Sequence, residues 1–221
     1  MNSKWAGAVS DQWEPATTIS SNTVHQGGKW NVVEETALIG GQQVVRDVVV
    51  HPGAVAVVAL NELCQIYLLR QYRHPVGAYL WETPAGLLDD PNEEPLAAAK
   101  RELAEEAGLV AGSWHVLVDF LNSPGGSTEA IRVYLAQEVT ELPGGRVPTG
   151  EAEEIDLPGI WIDLGQAIEL VFAGAVGNPT TVIGVLAAEH ALKASEAHLR
   201  EPESPWHARD NLRVIGRIPL G

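Results

Sequence analysis

The sequence predicts a mixed α/β protein, and three features predict it. Runs of β-branched residues separated by paired glycines fill residues 17–51. A near-continuous apolar run, Ala54 to Leu60, follows them, as in a strand buried on both faces. Segments of helical periodicity then alternate with strand-like stretches as far as residue 195.

Taken in order, residues 1–16 read as a loose leader, and strands are expected at 17–25, 29–38 and 42–51. Gly27-Gly28 and Gly40-Gly41 mark the turns of this antiparallel meander. After the break at His51-Pro52-Gly53, strands are expected at 54–60 and 64–70, joined at Asn61-Glu62-Leu63. Residues 95–107 read as a helix, with Pro95 suited to its first position and Gly108 just past its end. Leu96, Ala99, Leu103 and Ala107 form its apolar stripe. Further strands are expected at 114–121 and 130–138, a polar loop at 140–158, and helices at 166–173 and 179–195. Three prolines make 201–221 an irregular C-terminal tail. The organisation expected is an N-terminal β-sheet unit over 1–50, a main domain over 51–200, and that tail.

The chain has 221 residues and a formal net charge of −15. That charge argues against nucleic acid and acidic membranes as partners. No apolar run reaches the length of a membrane span and no signal peptide is visible, so a cytoplasmic protein is expected. The single cysteine, Cys64, rules out an intrachain disulfide framework and reads as a small buried hydrophobe.

The chemistry sits on the helix. Glu102, Glu105 and Glu106 fall on one face about 100° wide. They repel one another, and Glu105 and Glu106 stand at the negative end of the helix dipole. Each penalty is a few tenths to about 1 kcal/mol. A divalent cation such as Mg²⁺ or Mn²⁺ would relieve both, since hard carboxylate oxygens suit it. A solvated acidic face is the other reading, and the residues alone leave both open. Arg101 can pair with Glu105 at i+4.

Gly86, Glu93, Arg101-Glu102-Leu103, Glu105-Glu106 and Gly108-Leu109 together resemble the Nudix box. The spacing departs from the family once: six residues rather than five separate Gly86 from Glu93, an insertion before the helix. His51-Pro52-Gly53-Ala54-Val55, Leu69 to Pro75, Trp81 to Gly86 and Ser123 to Glu129, with Pro124, resemble the ADP-ribose pyrophosphatase branch.

The resemblance implies an α/β/α sandwich around a mixed sheet, preceded by a small N-terminal antiparallel β-sheet that exchanges across a homodimer. It implies Mg²⁺, or Mn²⁺, held by Glu102, Glu105, Glu106 and the backbone carbonyl of Ala85. The reaction implied is hydrolysis of ADP-ribose to AMP and ribose 5-phosphate. Glu106 is expected as central ligand, then Glu102 and Glu105. The general base is expected from a downstream loop, Glu154 or Glu153 ahead of Glu151, against the alternative of a solvated loop tip. Arg70 and Arg73 are expected near phosphate, and Glu129 at the ribose or as a turn charge. Arg46 could reach substrate across a dimer, as could Trp30, which reads better as core. Other nucleoside-diphosphate compounds, and a binding module without catalysis, are the competing readings.

Overall fold

The structure, a computed structural model, describes residues 7–146 and 157–218. Three antiparallel strands open it: β1 (Thr17–Gln26), β2 (Asn31–Ile39) and β3 (Gln42–Val50), in the order β1-β2-β3. Gly40 and Gly41, at φ +58° and +80°, make the two-residue β2–β3 turn, a conformation that glycine takes without steric cost. This sheet is tied to the rest of the chain by backbone hydrogen bonds and ion pairs. The Val49 N–H donates to Gly126 O (2.9 Å) and the Thr128 N–H to Val49 O (3.0 Å). Arg217 forks onto the buried Glu35 of β2. Lys29 reaches Asp89 at 3.3 Å.

The strands that follow are β4 (Ala54–Ala59), β5 (Gln65–Arg73), β6 (Ala78–Glu82) and β7 (Ala85–Leu87). Helix α1 (Pro95–Glu102) runs on into a π-helical turn, Leu103–Ala107. Then come β8 (Leu109–Leu121), β9 (Ala130–Glu141), β10 (Gly159–Asp163), α2 (Leu164–Phe172), α3 (Pro179–Lys193) and α4 (His207–Val214). Two sheets result, β7-β4-β9-β8 and β10-β5-β6. The β4–β9 pair is parallel and its neighbours are antiparallel, so the sheet is mixed.

β4 explains the layering. Val55, Val57 and Ala59 enter one core with Ala98, Ala99 and Leu103 of the α1 segment. Ala56, Val58 and Leu60 enter a second core with Ile168 of α2 and Val185 and Ala188 of α3. Both faces of the strand are therefore dry, as its unbroken apolar run requires. Helices cover the sheet on each side, which is the α/β/α sandwich expected.

Several local expectations are corrected. The helix read as 95–107 changes hydrogen-bond pattern after Glu102, and its last turn is π-helical. β8 starts at Leu109, not 114, and β9 runs to Glu141. β6, β7 and β10 are short strands with no clear alternation in the sequence. The tail is not irregular: α4 forms because Ala208, Leu212 and Ile215 recur at helical spacing and pack on the α1 core beside Trp206. Cys64 is exposed rather than buried, because it takes the positive-φ position (+56°) of the β4–β5 turn. Trp30 is 47% exposed and stacks on His51, centroids 5.5 Å apart, instead of entering the core. No helix among the described residues is long and apolar enough to cross a membrane.

Candidate active site

The π-helical turn and β7 create the site. In a helix with i→i+5 bonding, the glutamates after Glu102 are re-aimed relative to an ideal α-helix, a common device at functional sites. Glu102 and Glu106 are 7% and 4% exposed, unusual burial for carboxylates. Glu106 Oε2 accepts the Ala85 N–H at 2.8 Å, fixing the helix end to β7. Glu102 lies against Gly86, where a Cβ would fall 1.8 Å from Glu102 Oε1, so residue 86 has room for no side chain.

Arg101 organises the cluster. It forks onto Glu93 through Nε and Nη2, both at 2.9 Å. Its Nη1 reaches Glu102 Oε1 at 2.7 Å and Glu105 Oε2 at 2.9 Å. The hydrogen bonds to Glu93 raise its pKa well above the ordinary arginine value; burial opposes them, and Glu102 and Glu105 add to the rise. The residue inserted before the helix is absorbed by a turn: the Glu93 N–H donates to Asp90 O (3.2 Å) and the Asn92 N–H to Asp90 Oδ1 (2.9 Å). Glu93 thus keeps a defined place, as the partner of Arg101.

Other expected site residues stand apart from this cluster. Arg73 is bidentate to Glu82 at 2.9 and 2.6 Å, and Glu82 is 1% exposed. Arg70 is exposed, its guanidinium 4.5 Å from the Tyr79 ring centroid. Glu129 accepts Asn122 Nδ2–H at 2.7 Å and lies 3.7 Å from His51 Nε2. Arg46 helps line a cavity of about 340 Å³ with Trp13, Arg217 and the Pro124–Thr128 turn. Glu151, Glu153 and Glu154 lie outside the described residues.

Three residues were missed as site components. Glu82 fixes Arg73, and its burial has no signature in a short strand. Arg146 donates from Nε to Glu105 O at 3.1 Å, holding the segment after β9 against the helix end. His51 is buried beneath Trp30; its Nδ1 accepts the Gly53 N–H at 3.0 Å, which leaves the proton on Nε2 facing Glu129. Burial lowers the His51 pKa and Glu129 partly restores it.

Three carboxylates, Glu93, Glu102 and Glu105, therefore share one guanidinium, and Glu106 adds a fourth on the same helical turn as Glu105. Such a surplus of buried negative charge is costly unless a cation joins it. Among the described residues no three acidic, histidine or cysteine side chains converge as a ready-made metal cage. Glu102 and Glu105 instead turn onto Arg101, and Glu106 onto Ala85 N–H. The donor chemistry, hard oxygens carrying excess negative charge, fits Mg²⁺ or Mn²⁺.

Residues 50–180 match the NUDIX domain family model. The chain belongs to the Nudix family. An ADP-ribose pyrophosphatase of Mycobacterium tuberculosis is 43% identical over 190 residues, 86% of this chain and 90% of that protein. An ADP-ribose pyrophosphatase of Bacillus subtilis is 34% identical over 166 residues, 74% and 88% of the two chains. The crystal structure of an ADP compounds hydrolase superposes with a TM-score of 0.71 at 22% identity, covering 84% of this chain and 98% of the other. This likeness confirms the Nudix fold. The matched stretch contains the segment from Gly86 to Leu109, which carries the acidic cluster built above.

Proposed function

We propose that this Nudix protein hydrolyses the diphosphate bond of ADP-ribose, releasing AMP and ribose 5-phosphate. The observation that carries the reading is the buried Glu102–Glu106 pair, set on Gly86 and Ala85 and organised by Arg101. The two ADP-ribose pyrophosphatases similar over most of the chain support the choice of substrate.

The carboxylates of Glu102, Glu105 and Glu106 and the carbonyl of Ala85 would hold Mg²⁺ or Mn²⁺. When bound, the ion neutralises charge on the diphosphate and acidifies water. In the hydrolysis a water oxygen bonds to phosphorus, the bridging P–O bond breaks, and the water proton leaves to a base. Glu154 is assigned as that base, with Glu153 next. Arg70 is the phosphate clamp, because its guanidinium rests on Tyr79 rather than on a carboxylate. Arg73 instead neutralises Glu82 and stiffens the β5–β6 hairpin. Glu129 is assigned to accept from a ribose hydroxyl; its hydrogen bond from Asn122 and its place beside His51 support the reading.

The working unit is a homodimer joined through the β1–β2–β3 sheet, with Arg46 reaching the partner's substrate. In support, β1 is exposed along its whole length, and Ile19, Val24 and Val45 are each more than half exposed. A cytoplasmic location fits a chain with one cysteine.

The test is product analysis on ADP-ribose, ADP-glucose, NADH and a diadenosine polyphosphate, with Mg²⁺ and with EDTA. AMP and ribose 5-phosphate from ADP-ribose, lost in EDTA, are expected. Preference for another compound moves the substrate and keeps the site, whereas no Mg²⁺-dependent turnover on any of them rejects the reading.

A further inference from the structure

A second cavity, of about 490 Å³, lies on the other side of α1 from the catalytic glutamates. Its walls come from the first turn of α1, Lys100, Arg132, and the segment from Pro202 through Arg213. A cavity of this size suits a small ligand.

The floor is cationic, and three of its buried donors have no hydrogen-bond partner among the described residues. Trp206 is 4% exposed, and its one polar atom, Nε1, finds no acceptor among the described residues. Arg209 is also 4% exposed; its Nη1 donates to Pro52 O at 2.9 Å, but its Nε has no partner among the described residues. Arg213 Nε is likewise buried and finds no partner among the described residues. Native proteins rarely leave such donors unsatisfied, so each calls for an explanation. Arg132 is a contrasting case: it is neutralised by both carboxylate oxygens of Asp119 and donates to Ser204 O and Pro205 O. The first turn of α1 adds to the unused donors, because its N-cap, Glu94, makes no side-chain cap.

Glu94, Glu203 and Asp210 also line the cavity, but all three are exposed, and the buried charges are arginines. Burial, and next the like charge of Arg213, lower the Arg209 pKa to about 10, against the opposing pull of Glu94 and Asp210. An indole, two guanidiniums and a helix N-terminus lining one cavity offer more donors than a planar carboxylate can use, and suit a tetrahedral dianion.

We propose that this cavity is a binding site for phosphate or a phosphomonoester, separate from the catalytic cluster and held by Trp206, Arg209, Arg213 and the start of α1. The site lies on the back of the helix that carries Glu102 and Glu106, so occupancy would be sensed by that helix.

The test is calorimetric titration of the full chain in EDTA with inorganic phosphate, AMP and ribose 5-phosphate. Arg213→Gln is the diagnostic variant, because Arg213 is only half-buried and the variant should fold, which its melting temperature checks. Saturable binding to wild type and to Glu106→Gln, weakened about tenfold or more in Arg213→Gln, is expected. If the esters bind and inorganic phosphate does not, with the same loss in Arg213→Gln, the ligand is a phosphomonoester. No saturable binding of any of the three, or equal affinity in wild type and Arg213→Gln, overturns the proposal. Because binding is read without metal or turnover, the outcome does not depend on the catalytic assignment.

Discussion

Glu102 fills the space that a side chain on residue 86 would need. A Cβ on Gly86 would fall 1.8 Å from Glu102 Oε1 and 2.6 Å from its Cγ. Gly86→Ala must therefore push Glu102 out of place while leaving the cores untouched. The expected result is a loss of about a hundredfold or more in kcat with a nearly unchanged melting temperature. A Gly86→Ala enzyme with normal kcat would mean that the position of Glu102 does not matter.

Arg101 contacts Glu93, Glu102 and Glu105 through a planar fork that lysine cannot reproduce. Arg101→Lys keeps the charge and loses the geometry. Activity should fall about 10- to 100-fold, with a matching rise in the Mg²⁺ concentration needed for half-maximal rate. A metal titration of the variant beside wild type measures both.

Removing Arg73 leaves Glu82 buried without its bidentate partner. Arg73 is itself partly exposed, so water softens the penalty, and Arg73→Gln should cost roughly 1–3 kcal/mol in urea unfolding. Adding Glu82→Gln should recover most of it. If the double variant is no more stable than Arg73→Gln, the pair is not what stabilises the hairpin.

Glu35 and Arg217 join the N-terminal sheet to the end of the described chain. The hydrogen bond from Arg217 holds the Glu35 pKa below its ordinary 4.5; burial opposes that shift, and Ser21 and the Arg217 charge reinforce it. A carboxylate lowered on folding adds stability at pH values above 4.5, and that stability is lost as pH falls through the lowered value. Melting temperature followed from pH 7 to pH 3 should therefore drop more steeply below 4.5 in wild type than in Glu35→Gln. Parallel curves would remove the pair from the account.

Much of the acidic cluster was legible in the sequence because it is local. Glu102, Glu105 and Glu106 stand within one helical segment, and Gly86 and Gly108 bracket it. The layered fold was legible for a related reason: β4 reads as buried on both sides, and each side meets a different core. What could not be read depends on distant partners or on hydrogen-bond pattern. The π-helical turn has no residue signature, since Leu103–Ala107 suits an ordinary helix. The pairing of Arg73 with Glu82 spans a hairpin, and Glu35 with Arg217 spans nearly the whole chain. α4 was masked by the prolines before it, although Ala208, Leu212 and Ile215 carry a helical period. Trp30 reads as core because it is large and apolar, yet its place is over His51 at the surface.

The most direct test compares ADP-ribose turnover by wild type and Glu106→Gln, each with Mg²⁺ and with EDTA. Glu106 is 4% exposed and accepts the Ala85 N–H, a bond that glutamine can keep, so the variant should fold. The account predicts AMP and ribose 5-phosphate from wild type with Mg²⁺ only, and a loss of about a hundredfold or more in folded Glu106→Gln. Near-wild-type turnover by a folded Glu106→Gln, or turnover by wild type that survives EDTA, would contradict it.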